Sequence, residues 1–216
     1  MRQLTLDLVP DSPPTLDNFV AGSNAETVAA LTEWLAGVRP DTSFALYGES
    51  GCGRSHLLLA SGFVYVDAAA NPALVGIAAH GELAIDNVDQ LDADGQVALF
   101  ALFNQLKATT GRLLTAAPQP PAHLALREDL RTRLGSGQIY RLQPLSDSEK
   151  AEALQALARE RSLRLPAEIS SYLLRHVSRD MRTLAMLLLA LDQYSLEQKR
   201  PLTLPLLREL LQQYAP

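Results

Sequence analysis

Residues 48–55 read GESGCGRS. Gly48, Gly53 and Ser55 keep the spacing G-x-x-x-x-G-K-[ST] of a phosphate-binding loop, and Arg54 stands where that pattern carries lysine. Glycines let backbone N–H groups converge on phosphate oxygens, and a helix starting at the loop adds a favourable dipole. Arginine keeps the positive charge and offers a two-pronged fork to phosphate. It is bulkier than lysine and follows phosphates that move during reaction less well. Ser55 stands where such loops hold Mg2+. The chemistry on offer is phosphate binding more than turnover. A glycine-rich turn without a ligand fits the same letters.

A second stretch, LAIDNVDQL at 83–91, closes an apolar run with Asp86. A carboxylate at the carboxyl edge of a sheet can face a nucleotide-bound Mg2+ through its waters. Alternatively, Asp86 caps the next helix. Asn87 follows where many ATPases carry a second acid. Arg131 and Arg133 stand just before a later apolar run, where an exposed arginine can stabilise charge on a neighbouring molecule's nucleotide. Spacing alone favours a solvated basic patch there. Arg179 and Arg182 open a long helical stretch, where positive charge opposes the helix dipole unless an anion is near. Arg182 is the better placed of the two for such an anion, and pairing with Asp180 or another local acid is the alternative. The four histidines lack ligand spacing and Cys52 lacks a partner, so no metal cluster or nucleophile–base pair is predicted.

These residues need a scaffold. SFALYG (43–48), FVYVDA (63–68), LAIDN (83–87), RLLTAA (112–117) and GQIYRLQPL (137–145) read as five strands. Helices are predicted over about 25–38, capped by Ser23 or Asn24, from Arg54 onward, and over GQVALFALFNQLKATTG with Gly111 stopping it. Alternating strands and helices predict an α/β fold, a parallel sheet covered on both faces. After Pro144 the pattern turns wholly helical. Ser146 and Glu149 form a capping box, and Pro166 suits a first-turn position. The predicted domains are an arm over 1–14, an α/β domain over 15–145 and a small helical domain over 146–216. Alternating leucines in QLTLDL (3–8) suit a peptide that enters a partner's pocket or joins a sheet edge. They also suit a strand of the chain's own fold.

Composition narrows the class. With 216 residues, 47% apolar content and 20% charged, the chain can bury a sizeable core. Its apolar stretches stop short of the roughly 20 residues of a membrane span, and the N-terminus lacks a signal-peptide core. One cysteine suits a reducing cytosol. The net charge of −5 argues against a nucleic-acid footprint over the whole surface.

Together these stretches resemble, nearly end to end, the Hda family of short homologues of the replication initiator DnaA, within the AAA+ proteins. LDNFVAGSNAETVAAL (16–31) is similar to the adenine-binding segment, which implies Phe19, Val20, Gly22 and Asn24 at the base. GESGCGRSHLL resembles the Walker A element, implying Gly48, Gly51, Cys52, Gly53, Arg54, Ser55 and His56 around the phosphates. LAIDNVDQL resembles Walker B, with Ser55 and Asp86 serving Mg2+. LRTRLGSGQIYRLQPLSD resembles the arginine-finger box and gives Arg133 the finger role in trans. RDMRTLAMLL resembles sensor 2 and assigns Arg182. QLTLDL looks like the peptide that docks on the DNA polymerase III sliding clamp through Gln3, Leu4, Leu6 and Leu8. The resemblance implies an AAA+ core with a five-stranded parallel sheet and a helical lid. It further implies a cytoplasmic negative regulator of replication initiation that holds ADP (or ATP) with Mg2+, forms a homodimer and stimulates hydrolysis of DnaA-bound ATP. Contact with DNA would run only through the clamp, with no membrane role. Arg54, Asn87 and a sensor 1 region with only Thr115 to offer imply weak intrinsic hydrolysis. No room remains before Pro216 for the initiator's helix-turn-helix domain. An autonomous AAA+ ATPase or loader acting on DNA, and a nucleotide-independent recruitment adaptor, are the alternatives.

Overall fold

In the computed structural model, residues 13–78, 81–177 and 181–214 are described, with 182, 213 and 214 by backbone alone. They divide into two compact units, one over 13–144 and one from Leu145 onward.

The first unit is built on five strands: β1 (Ser43–Tyr47), β2 (Val64–Asp67), β3 (Glu82–Asp86), β4 (Arg112–Ala117) and β5 (Gln138–Arg141). They form one all-parallel sheet in the order β2-β3-β4-β1-β5. The central strands are apolar on both faces because helices cover both. On one face Phe44, Leu46, Ala84, Leu114 and Ala116 pack with Trp34 of α1 (Ala25–Leu35) and Leu57 and Leu58 of α2 (Arg54–Ala60). On the other, Leu83, Ile85 and Leu113 pack with Leu99, Phe103 and Leu106 of α3 (Ala93–Ala108) and with Leu130 and Leu134 of α4 (Glu128–Leu134). Each fully buried leucine, isoleucine or phenylalanine among them contributes roughly 1.5–3 kcal/mol. At the amino edge of the sheet, Arg112 donates to the carbonyls of Trp34 (2.6 Å) and Leu35 (2.7 Å) at the end of α1 and pairs with Glu82. Its guanidinium also lies over the Trp34 and Phe63 rings.

Several expectations need correction. The first helix stops at Leu35 because the chain turns at Gly37 (φ 75°). At the end of α3 the left-handed position belongs to Thr110 (φ 57°), and Gly111 follows it, donating back to Leu106 O at 2.7 Å. Arg131 and Arg133 do stand before β5, and they sit in α4, a helix absent from the expected elements because its seven residues are too few to show helical periodicity.

The second unit is helical over its described residues: α5 (Asp147–Glu160), α6 (Ala167–His176), α7 (Met181–Gln198) and α8 (Leu204–Tyr214). Ser146 accepts from the Glu149 N–H while Glu149 reaches back, so the capping box forms. Pro166 is the cap of α6 and lies just outside its first turn. Leu154, Ile169, Leu173, Leu184, Leu188 and Leu207 make a separate core. Among the described residues no helix is long and apolar enough to cross a membrane.

Candidate functional site

The glycine loop leaves β1 at the carboxyl edge of the sheet and runs directly into α2. Gly48 has no room for a side chain: a Cβ there would collide with the Leu142 carbonyl and come within 2.9 Å of Cys52 Sγ. Gly53 has φ +98°, and a Cβ on it would press to 2.5 Å from Phe19 Cε2. The Phe19 ring therefore lies against the loop. Gly51 is exposed, and Cys52 is buried, which pushes its thiol up against the opposing pull of Arg54. Arg54 begins α2, and its Nη1 is buried without a hydrogen-bond partner. A buried guanidinium nitrogen left unpaired costs free energy that a bound anion would relieve.

Asp86 ends β3 and is 1% exposed. Its Oδ2 accepts from the Ser55 hydroxyl and from the Tyr65 hydroxyl at 3.1 Å, and its Oδ1 accepts from the Asn87 N–H at 2.9 Å. The register explains Tyr65: Asp67 pairs with Asp86 and Tyr65 with Ala84, so these side chains share one face. Burial first, and then the Asp86 carboxylate, push the Tyr65 phenol far up, so it remains a donor. Asp86 does not cap the next helix; Asp92 does, accepting from Gly95 N at 2.8 Å. Asn87, at φ 53°, turns its amide away to donate to Asp67 Oδ1 at 2.9 Å.

Residues 13–24 lead up to α1. The His56 Nε2–H donates to the Thr15 carbonyl at 2.9 Å, and its ring centroid lies 5.3 Å from that of Phe19. Burial pushes the His56 pKa down, opposed by the Thr15 bond. Val20 is exposed and Gly22 has φ 50°. Asn24 holds the cap position of α1, yet its side chain makes no cap bond. Its amide donates to Gln143 O at 2.9 Å and accepts from Gln143 N at 2.7 Å. Both amide groups are thus engaged, so Asn24 ties the segment to the chain beyond β5 and does not offer its amide to a ligand.

Arg54, Ser55, Asp86, Phe19 and His56 are brought together. Arg133 is apart from them in α4, half-buried over the Phe100 ring at 5.8 Å, with no ion pair among the described residues. Thr115 is buried in mid-strand opposite Ile85 and Ala45, on the sheet face that Asp86 does not share. Arg182 falls in the first turn of α7, its side chain outside the described residues; Gln3, Leu4, Leu6, Leu8, Arg179 and Asp180 also lie outside them. Tyr65 escaped the sequence reading. Its signal was the spacing of two from Asp67 at the end of a strand, which becomes informative only once β2 is known to pair with β3.

Domain III of the Thermotoga maritima replication initiation protein DnaA superimposes with a TM-score of 0.77 at 20% identity, covering 94% of this chain and 97% of that one. Residues 147–211 match the family model for the Hda lid domain. The chain has the fold of a DnaA-type AAA+ core, and its residues 147–211 match an Hda-type lid. An AMPPCP-bound DnaA from Aquifex aeolicus is similar at TM-score 0.64 and 22% identity, over 80% of this chain and 64% of that one. The Thermotoga maritima RuvB Holliday junction branch migration motor is similar at 0.67 and 16%, over 93% and 72%. At these identities the structural likenesses speak for the fold. In this fold, the unpaired Arg54 Nη1, the glycine cradle and the Ser55–Asp86 pair fit a nucleotide phosphate group with Mg2+. Arg54 would take the phosphates, and Ser55 and Asp86 the cation.

Proposed function

We propose that this chain is a nucleotide-holding negative regulator of replication initiation. What supports it is an Hda-type lid following a glycine loop whose Arg54 nitrogen is buried without a partner. In this reading the loop holds ADP with Mg2+, and Phe19 flanks the base side of the pocket. His56 fastens the segment that carries Phe19. Asn87, bonded to Asp67, offers no carboxylate to an attacking water, which fits weak turnover in the chain itself. The decisive hydrolysis then belongs to ATP held by DnaA, to which Arg133 is presented as a finger. The arm, through Gln3, Leu4, Leu6 and Leu8, docks on the sliding clamp and brings the protein to DNA; two copies associate when the clamp is absent.

An arginine finger is worth roughly 10³–10⁵ in rate. Arg133→Ala should abolish stimulation of ATP hydrolysis by DnaA while clamp binding, measured by pull-down, stays intact. Stimulation that survives the substitution removes the finger assignment. Purified protein that retains no nucleotide, and stimulates equally without it, favours the adaptor reading.

A further inference from the structure

The Asp86 carboxylate is more fully engaged than a metal-facing acid needs to be. An ionised carboxylate offers about four acceptor sites. Ser55 and Tyr65 occupy Oδ2, and the Asn87 N–H occupies one site on Oδ1. One site remains. Of the three donors, the Asn87 N–H is backbone and Ser55 belongs to the glycine loop. Tyr65 comes from another element, edge strand β2, with its ring packed against the core on the α1/α2 side of the sheet. A ring held in a core has two torsions to fix, so its hydroxyl is a rigid prop for the oxygen it meets.

Resting on the nucleotide-binding reading above, we infer that Tyr65 is a positioning residue for the metal site: its hydroxyl pins Asp86 Oδ2 beside Ser55 and leaves a single Oδ1 site that would serve a divalent cation held with the nucleotide. Without the phenol, Oδ2 keeps only the Ser55 hydroxyl, a donor that itself turns about its own bond, so the carboxylate and that hydroxyl are less firmly aimed. Outer-shell partners of this kind typically cost 10–100-fold in metal affinity when removed. The loss is selective. Binding of nucleotide in the absence of metal depends on the loop backbone and Arg54, and the hydrogen bond of the Tyr65 hydroxyl goes to Asp86.

The test uses the full chain and a fluorescent ADP analogue, titrated in EDTA and then against rising Mg2+, for the native protein and for Tyr65→Phe. The phenylalanine keeps the ring and removes one oxygen. The expected result is an unchanged dissociation constant in EDTA and a Mg2+ midpoint raised about tenfold. An unchanged midpoint overturns the inference, as does an equal loss of binding in EDTA, and so does a lower melting temperature without nucleotide as the sole effect. A native protein that binds the analogue with no response to Mg2+ also overturns it, while leaving nucleotide binding in place. A native protein that binds no analogue under either condition removes the underlying reading itself, and the inference with it.

Discussion

Asn87 holds a left-handed φ of 53° at the end of β3 and donates to an Asp67 oxygen that also accepts from the Ala69 N–H. Asparagine and aspartate both tolerate that backbone region, so Asn87→Asp would not strain the chain. It would replace a donor with a second carboxylate facing Asp67. Loss of the hydrogen bond and the new repulsion should destabilise the protein by about 1–3 kcal/mol. Urea denaturation reads this, and ATP hydrolysis should not rise, because the backbone at residue 87 aims the side chain at β2 and not at the glycine loop. A gain in hydrolysis would mean that the residue 87 side chain swings to the nucleotide. At this scale the sequence was informative where chemistry is local. Gly48, Gly53, Arg54 and Ser55 lie within eight residues, and Asp86 closes an apolar strand. Tyr65 with Asp86, and Asn24 with Gln143, are contacts across 21 and 119 residues, set by strand register and not by any local pattern.

Among the elements, the connection between α2 and the segment before α1 carries a histidine, His56. His56 is held neutral: its Nε2–H reaches Thr15, and burial lowers its pKa from the ordinary 6.5. A depressed folded-state value means the unfolded chain binds the proton more readily. This contribution is therefore fully present above about pH 6.5 and is lost as pH falls from there toward the folded value. Melting temperature should decline through that window. His56→Gln, which retains an N–H donor but does not titrate, should flatten this part of the decline. An unchanged profile would show that Thr15 and His56 do not hold the segment. The helices themselves were unevenly legible. α5 announced its start through Ser146 and Glu149, a purely local device. α4 did not, since seven residues with four charges present too little apolar periodicity to recognise.

For the whole molecule, the change from alternating strands and helices to helices alone was readable at Pro144, because period 2 and period 3.6 leave different apolar spacings. The strand order was not, since β4 inserting beside β1 depends on long-range pairing that no single strand encodes. Each unit buries a core of its own, the second around Leu154, Ile169, Leu173, Leu184 and Leu188. Leu188 in α7 is fully buried, so Leu188→Ala opens a cavity among neighbours that close only partly. Such truncations cost about 2–5 kcal/mol. If the cores are separate stabilising units, hydrogen exchange should quicken across α5 to α8 by the corresponding factor. Amides of β1, β3 and β4 should then keep their protection, because none of their buried contacts is removed. A parallel loss of protection in the sheet would show instead that the two cores unfold as one, and that the lid's packing stabilises the strands that carry Asp86 and the glycine loop.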